Sequence, residues 1–222
     1  EELAHLYDME DMIRYRSRYA DLPKLLTVAT GDEFFLNQDS HNWWHLMPEP
    51  MYMMMNPNTE HILFPHYVRI YETVCSYWIN TLEGLPMPQM SWSRSQDDAA
   101  GQISLSTDIL PGTGEDDELN ARALRSVTLA NDTRRDFRLQ AGSPPEFHPV
   151  RWYEDEVDYD GEGSFSHSID EVEGEWVAHF IELEYEGPEG FRMFLTSEVN
   201  IAPDTFPAEP CESGEECYGY LT

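Results

Sequence analysis

The stretch "KLLTVATGDEFFLNQDSHNWWHLMPEPMYMMMN", residues 24–56, contains two short apolar runs separated by a polar and aromatic segment. The first run, "KLLTVAT", is apolar without clean alternation, which is typical of a parallel strand buried on both faces. The second run, "MYMMMN", is of the same kind and is stopped by "PNTEH". Between them, Asp39 and Ser40 can cap a helix through "HNWWHLM". The stretch therefore predicts a strand, a crossover helix and a second, parallel strand.

Helical patterns flank this stretch on both sides. The N-terminal segment has apolar residues at roughly helical intervals, with acidic residues early and Arg late, and predicts a helix that ends near Pro23. Pro65 suits the first position of a further helix. The apolar residues of that helix form one stripe, made of Val68, Tyr71, Val74, Cys75, Trp78, Ile79 and Leu82. Because two strands alone cannot make a parallel sheet, residues 1–84 are predicted to be the C-terminal part of a larger α/β domain whose earlier portion is absent.

The composition changes after Gly84. Residues 85–100 are rich in Pro, Ser and acidic residues and predict a linker. Residues 101–206 contain about seven strand-like runs separated by Gly, Pro and Asp, with the clearest alternation in "WVAHFIELEY". These runs predict a β-sandwich of immunoglobulin or fibronectin type, followed by a loose tail over residues 207–222. The predicted fold class is thus α/β followed by all-β.

The chain is strongly acidic. Its 222 residues include 43 Asp and Glu against 13 Lys and Arg, for a formal net charge of -30 at pH 7. Such a charge repels phosphate backbones and anionic membrane surfaces, which argues against nucleic acid as a partner. Because no apolar run reaches the roughly 18 residues of a membrane span, no membrane insertion is expected. Weak, general binding of divalent cations is compatible with so acidic a surface.

The cysteines bear on the compartment. Cys211 and Cys217 bracket "CESGEEC", where a local disulfide is predicted and two free thiols are the alternative. Cys75 lies in the apolar helical pattern, either as a buried thiol or in a bridge to a missing segment. The acid excess, the possible disulfide and a sequon at residues 131–133 together favour an extracellular, secreted protein.

A carboxylate and an imidazole follow the two predicted strands. Asp32 comes after the first strand and His61 after the second, and the loops at this edge of a parallel sheet present side chains to ligands. In a Ser–His–Asp site the acid orients the imidazole, and the imidazole takes the proton of the serine hydroxyl. Each residue also has an ordinary interpretation, Asp32 as a turn former or cap and His61 as a structural residue. The catalytic hypothesis predicts that His61 Nδ1 lies within hydrogen-bond reach of the Asp32 carboxylate.

The strand-end motifs resemble those of a known family. "LPKLLTVATGDEFFLNQDSHNWW" followed by "YMMMNPNTEH" is similar to the PhoPQ-activated pathogenicity-related proteins, which include the secreted autocrine proliferation repressor proteins. The resemblance is specific over residues 22–61 and looser through Leu82, with further similar stretches such as "RDFRL" and "TSEVNIAPDT". It implies an α/β-hydrolase-like protein, similar to prolyl peptidases, with Asp32 as the triad acid and His61 as the triad base.

The serine of such a triad is missing from the sequence. No G-x-S-x-G stretch occurs, and neither "SWSRS" nor "GSFSHS" has the strand-to-helix context of a nucleophile elbow. One interpretation is the C-terminal chain of a cleaved precursor, bound to an N-terminal portion that carries the serine for ester or peptide hydrolysis. It predicts that the chain travels with a second polypeptide. The other is an extracellular signalling, binding or structural-assembly protein on the same scaffold.

Other motifs have structural interpretations, and no cofactor or metal-binding residue is assigned. His41 and His45 have the spacing of a two-histidine zinc face but lack a third ligand. The stretch "EDEVDYDGEGSF" lacks the Asp-first, Glu-twelfth pattern of a calcium loop and predicts a solvated acidic turn. Glu33, Phe34 and Phe35 are expected to cap and pack the loop after Asp32 rather than to line a substrate pocket.

Overall fold

Strands provide most of the regular structure in the computed structural model, which describes residue 6 and residues 9–95, 100–114, 118–129, 137, 139–140, 146–147 and 150–204. The α-helix α1 spans Tyr67–Glu83. Short 3-10 helices span Met12–Tyr19, Asp39–Asn42, Trp44–Leu46 and Pro188–Gly190. The strands are β1 (Lys24–Ala29), β2 (Met51–Asn56), β3 (Met90–Arg94), β4 (Ala100–Thr107), β5 (Ala121–Leu129), β6 (Leu139–Gln140), β7 (Glu146–Phe147), β8 (Tyr153–Asp155), β9 (Asp158–Tyr159), β10 (Ser164–Asp170), β11 (Glu175–Glu186), β12 (Arg192–Thr196) and β13 (Asn200–Ala202).

The strands β1 and β2 pair in parallel along their full lengths, as predicted. The connection between them contains two short 3-10 helices instead of the predicted α-helix. Asp39 does not cap a helix, since its Oδ2 accepts a hydrogen bond from the backbone N–H of Leu36 at 3.1 Å. Single 3-10 turns cannot cover the face of a sheet as the helix of an α/β unit does.

Two larger sheets are antiparallel. The four-stranded sheet has the order β3-β4-β10-β9. The five-stranded sheet has the order β12-β11-β5-β8, with β13 paired to another part of β11. Strand β11 is buried from Trp176 to Leu183, so both of its faces are covered. A further short antiparallel pair consists of β6 and β7.

The predicted fold class, an α/β-hydrolase part followed by an immunoglobulin- or fibronectin-like β-sandwich, is wrong. Within the described ranges parallel pairing is limited to β1 and β2, and the other strands pair antiparallel. The reason lies in the covering of β2, which packs against β12 and whose Met55 N–H donates to Thr196 Oγ1 at 3.1 Å. An unbroken apolar run indicates burial on both faces, but it does not say whether helices or strands provide the cover.

Strand β2 places alternate side chains in two hydrophobic clusters. Met53 and Met55 lie in the first cluster, and Tyr52 lies in the second. The first cluster also contains Leu124, Trp152, Phe180 and Ile201, and the second contains Ile103, Leu105, Phe165, Ile181 and Leu195. Because each buried apolar side chain of this size contributes about 1.5–3 kcal/mol, β2 anchors the parallel pair to the antiparallel sheets.

The predicted domain boundaries at residues 84 and 100 stay a prediction. Strand β3 lies inside the predicted linker, residues 85–100.

Helix α1 packs through its polar side. Its buried residues are Arg69, Thr73, Ser76 and Asn80. The backbone N–H of Phe194, in β12, donates to Thr73 Oγ1 at 3.1 Å. The apolar stripe, which normally faces the core in a helix of a soluble protein, is exposed at Val68, Tyr71, Val74, Trp78 and Leu82. Beside these polar contacts, Tyr77 packs against the second hydrophobic cluster, and Tyr71 lies edge to face with Phe191, with 5.9 Å between ring centroids.

A buried ion network attaches the polar side of α1 to the five-stranded sheet. The Arg69 guanidinium contacts the Glu182 carboxylate of β11 and lies over the Phe194 ring, 4.2 Å from its centroid. Arg122 of β5 donates to the other oxygen of Glu182 at 2.7 and 2.9 Å. Glu182 is only 2% exposed, so its carboxylate depends on these cationic partners.

Two histidines meet between the antiparallel sheets. The Nδ1 atoms of His167 in β10 and His179 in β11 are 2.7 Å apart, and His179 is fully buried. Burial, and then the neighbouring His167, lower the pKa of His179 to about 3. Burial also lowers the pKa of His167, against the opposing effect of Asp155, whose carboxylate lies 3.7 Å from His167 Nε2. At neutral pH both rings are uncharged, one donating the shared hydrogen bond and the other accepting it.

The two ends of the chain are described in part. The N-terminal segment is helical at Leu6, Met9 and Glu10, and a 3-10 helix follows over Met12–Tyr19, so the predicted helix is only partly α-helical. Cys75 is a partly buried free thiol. Cys211, Cys217 and the tail lie outside the described residues, so their disulfide stays a prediction. In the part of the chain that the structure describes, no helix has the length and apolar content for crossing a bilayer.

Replacing Arg69 by Met is predicted to lower the free energy of unfolding by about 3 kcal/mol, because Glu182 then loses one of its buried cationic partners. Arg192→Met is the matched control: Arg192 also lies over Phe194, at 5.1 Å, but it is 48% exposed and pairs with Glu72. An exposed pair contributes about 0–1 kcal/mol. Urea denaturation measures both effects, and equal losses in the two variants would contradict the prediction.

The histidine pair predicts a pH-dependent stability. Unfolded His titrates near pH 6.5 and folded His179 near pH 3, so the folded state binds fewer protons between these values. The stability that neutral His179 contributes is complete above pH 6.5 and is lost progressively as the pH falls towards 3. His179→Gln should therefore reduce proton uptake on unfolding by about one proton in this range. Denaturation measured at several pH values tests this, with the exposed His45→Gln as control; an unchanged pH slope for His179→Gln would refute it.

Candidate active site

Asp32 and His61 meet at the carboxyl ends of the parallel strands. Each residue lies in the loop that follows one strand, Asp32 after β1 and His61 after β2. The distance between His61 Nδ1 and Asp32 Oδ2 is 2.9 Å. The expected hydrogen-bond contact is therefore present, because the parallel register brings both strand ends to the same edge. The catalytic roles of the two residues stay predictions.

The Asp32 carboxylate is held by backbone donors. Its Oδ1 accepts hydrogen bonds from the N–H groups of Phe34 at 2.8 Å and Phe35 at 3.2 Å. This arrangement is a local cap of the kind that Asp forms in turns, and it directs the second oxygen, Oδ2, to the imidazole. Since a carboxylate accepts, Nδ1 of His61 carries the proton and donates it. The other ring nitrogen, Nε2, is then the basic one.

The His61 ring is positioned by the residues that follow Asp32. Phe34 packs against it edge to face, with 4.8 Å between ring centroids, and Phe35 lies at 6.1 Å. The backbone N–H of His61 donates to a carboxylate oxygen of Glu33 at 3.2 Å. These contacts agree with the expected capping and packing roles of Glu33 and Phe34. Phe35 also lines a cavity beside the pair, which differs from the expectation that it would not line a pocket. The His61 side chain remains 45% exposed, so a substrate or a nucleophile can reach it from solvent.

Hydrogen bonds connect the loop after β1 to the loop after β2. The N–H of Gly31 donates to the carbonyl of Thr59 at 2.9 Å, and a Cβ at position 31 would lie 3.0 Å from that oxygen. The N–H of Asn58 donates to Thr30 Oγ1 at 2.9 Å. Glycine at position 31 therefore allows the close approach that places Asp32 beside His61.

Asn58 joins the site to the backbone of Trp152, directly before β8, a role that sequence reasoning missed. Its side-chain amide donates to the carbonyl of Trp152 at 2.9 Å and accepts from the Trp152 N–H at 2.7 Å. Trp152 itself is buried in the first hydrophobic cluster. Asn58 has a φ of 55°, a conformation that Asn tolerates better than most residues. The turn at Pro57 and Asn58, directly after β2, was the available signal, but nothing in the sequence identified the partner of Asn58.

A cavity of about 410 Å³ lies beside the pair. Asp32 and His61 line it, together with apolar residues of both parallel strands, of the connection between them and of the loop after β2, including Leu26, Val28, Trp43, Met53, Met55 and Leu63. Its volume lies within the range of about 300–1,000 Å³ that is usual for small-molecule sites. The site thus combines an acid–imidazole pair with an adjacent apolar pocket.

Two of the other candidate residues, His41 and Asp160, have structural partners, and His45 is exposed. His41 Nε2 donates to the carbonyl of Val199 at 2.7 Å, and its Nδ1 accepts from the Arg94 guanidinium at 2.9 Å, so neither nitrogen is available to a metal. Asp160 Oδ1 accepts from the backbone N–H groups of Glu162 and Ser164 at 2.7 and 3.0 Å, as in a turn. These backbone donors lower the pKa of Asp160. The described residues contain no group of three or more metal-ligating side chains that could hold a metal ion.

The chain is similar to proteins of one named family. The family described as PhoPQ-activated pathogenicity-related protein matches residues 1–138, which contain Asp32 and His61, and this confirms the resemblance of the strand-end motifs. Autocrine proliferation repressor protein A of Dictyostelium discoideum is 26% identical over 233 residues, covering 97% of this chain and 45% of that protein. The chain therefore spans about half the length of this curated relative. Among solved structures, MtrC from Shewanella baltica OS185 has a TM-score of 0.26 and 12% identity, over 58% of this chain and 24% of that one.

Proposed function

Because the chain belongs to the PhoPQ-activated pathogenicity-related protein family, we propose that its Asp32–His61 pair is the acid and base of an acyl-transfer site. The reaction is hydrolysis of an ester or peptide bond by a serine hydroxyl that another part of the protein supplies. The observation that carries the proposal is the 2.9 Å contact between His61 Nδ1 and Asp32 Oδ2. A carboxylate held by two backbone donors beside a half-exposed imidazole is the arrangement that general-base catalysis requires.

The two residues divide the proton handling between them. Asp32 accepts the Nδ1–H hydrogen bond, which keeps Nε2 basic and stabilises the imidazolium when it forms. Nε2 takes the proton of the serine hydroxyl as the serine oxygen attacks the carbonyl carbon. The same proton passes to the leaving alcohol or amine as the carbon–oxygen or carbon–nitrogen bond breaks. Water then attacks the acyl-serine carbon and gives a proton to Nε2. Nε2 returns this proton to the serine oxygen as the bond between that oxygen and the acyl carbon breaks and the acid is released.

The serine belongs to a portion of the protein that these 222 residues do not include. The sequence contains no G-x-S-x-G elbow, and it covers 45% of the longer relative. We propose that this portion stays bound as a second polypeptide. Support comes from the exposed apolar stripe of α1, at Val68, Tyr71 and Trp78, because a contiguous exposed apolar surface marks a contact site. The proposed location of the assembly is extracellular, in keeping with the acidic composition.

A second candidate function is extracellular signalling by binding without turnover. It is favoured by the absence of a serine elbow in this sequence. The name of the Dictyostelium relative describes a repressor of proliferation that acts on the cells that secrete it. On this alternative the same scaffold keeps the Asp32–His61 contact for structural reasons, and fold alone does not distinguish the two functions.

A fluorophosphonate probe, which reacts with activated serines, tests the hydrolase function on the complete protein. We predict covalent labelling that is slowed about 10³-fold or more by His61→Gln and by Asp32→Asn, because each change removes a member of the proton-transfer pair. His45→Gln changes an exposed histidine outside the pair and should leave the labelling rate unchanged. A folded protein that is not labelled would overturn the hydrolase function in favour of binding.

The proposed second polypeptide predicts co-purification. The chain isolated from its natural source should travel with a partner, and Trp78→Glu should weaken the complex by placing a charge in the apolar contact. Glu83→Gln, at an exposed position on the same helix, is the control and should leave the complex intact. Size-exclusion chromatography with light scattering measures both, and a folded, monodisperse 25.8 kDa monomer from that source would contradict the proposal.

A further inference from the structure

The wall of the cavity beside the Asp32–His61 pair carries a buried side-chain amide that has no hydrogen-bond partner among the described residues. Asn37 lines the cavity and is only 3% exposed. Neither its Oδ1 nor its Nδ2 has a hydrogen-bond partner among the residues that the structure describes. The hydroxyl of Ser40, another lining residue that is buried, is unpaired in the same way.

Such groups are rare in native proteins. The large majority of buried side-chain polar atoms form a hydrogen bond to protein or to ordered water, because an unpaired donor or acceptor loses its interactions with water and gains nothing in return. An Asn amide can offer both a donor and an acceptor in one plane. Its burial without partners therefore needs an explanation, and a bound ligand is one.

Water alone is a poor explanation for this cavity. Its volume of about 410 Å³ leaves room for a group much larger than one water molecule, which occupies roughly 30 Å³. Its walls are mostly apolar, with Leu26, Val28, Met53 and Met55 on the two parallel strands. Apolar surface and a few polar groups that can pair with a ligand are the usual composition of a small-molecule site.

We propose that this cavity binds a large apolar side chain of a peptide substrate, and that the substrate amide next to that side chain pairs with Asn37. A carboxamide presents one N–H and one C=O in a plane, which matches the unpaired Oδ1 and Nδ2 of Asn37. The apolar walls accept an aliphatic or aromatic group. Anionic side chains are excluded, because Asp32 and Asp39 also line the cavity and the whole chain is acidic.

This inference rests on the proposed function and specifies the class of substrate. Asp32 and His61 lie on the wall of the same cavity, so a residue bound there places a neighbouring peptide bond close to the imidazole. The favoured substrate class is then peptides with a large apolar residue, rather than simple esters or acidic peptides. A lipid acyl chain would fill the apolar walls but would leave the Asn37 amide unpaired, so it is the competing ligand class.

The test is a binding measurement on the full chain with methyl-labelled Met. N-acetyl-phenylalaninamide should shift the methyl signals of Met53 and Met55 and bind at least tenfold more tightly than N-acetylglycinamide, which lacks the side chain. Asn37→Leu should weaken binding of N-acetyl-phenylalaninamide at least tenfold while leaving binding of toluene, which has no amide, unchanged. Val28→Trp, which fills the cavity without altering Asn37, should abolish binding of both.

The stability of Asn37→Leu separates a ligand-binding amide from a structural one. If the amide is unpaired in the free protein, its removal raises the urea midpoint of unfolding, whereas a structural amide would lower it. Gln38→Leu, next in the chain but outside the cavity, is the control and should leave binding unchanged. Unchanged binding of N-acetyl-phenylalaninamide in Asn37→Leu, a lowered midpoint, or binding of toluene alone would overturn the proposal.

These measurements do not depend on turnover. If N-acetyl-phenylalaninamide binds but the complete protein is not labelled by the fluorophosphonate, the proposed ligand of the cavity stands and the hydrolase function is overturned. If the protein is labelled but N-acetyl-phenylalaninamide does not bind, the hydrolase function stands and the proposed ligand of the cavity is overturned.

Discussion

The buried ion pair between Arg69 and Glu182 decides which side of helix α1 faces the sheet. Burying an unpaired charge is costly, and Glu182, buried within β11, is the carboxylate that pairs with Arg69. With Arg69 turned inward, the other polar residues of the same helical face are buried with it, and Thr73 bonds to the backbone of β12. The apolar stripe then has to point away from the sheet.

The packing of α1 also leaves its apolar stripe exposed on the surface. An exposed apolar stripe is costly in water, and on a protein with a net charge of -30 it stands out as a contact surface. The acidic charge opposes self-association, because two copies of the chain repel each other. This combination opposes non-specific aggregation and supports the proposal of a specific second polypeptide.

The Asp32–His61 pair depends on contacts at two scales. Local backbone donors hold Asp32, and Gly31 lets the loops after β1 and β2 approach each other. Over a longer distance, Asn58 ties its loop to the backbone of Trp152, which is buried in the core that β2 shares with the antiparallel sheets. The antiparallel sheets therefore help to maintain the geometry of the pair, even though neither residue belongs to them.

The sequence alone determined the two parallel strands, the acid and the imidazole at their ends, and the family, since these depend on local apolar runs and short motifs. Tertiary structure decided what covers those strands, which side of α1 is buried, and which atoms pair with Asn58 and Asn37. The physical reason is that periodicity reports how much apolar surface a segment must bury, but not against which element. A single long-range partner such as Glu182 can reverse the side on which a helix packs, and no window of local sequence contains that partner.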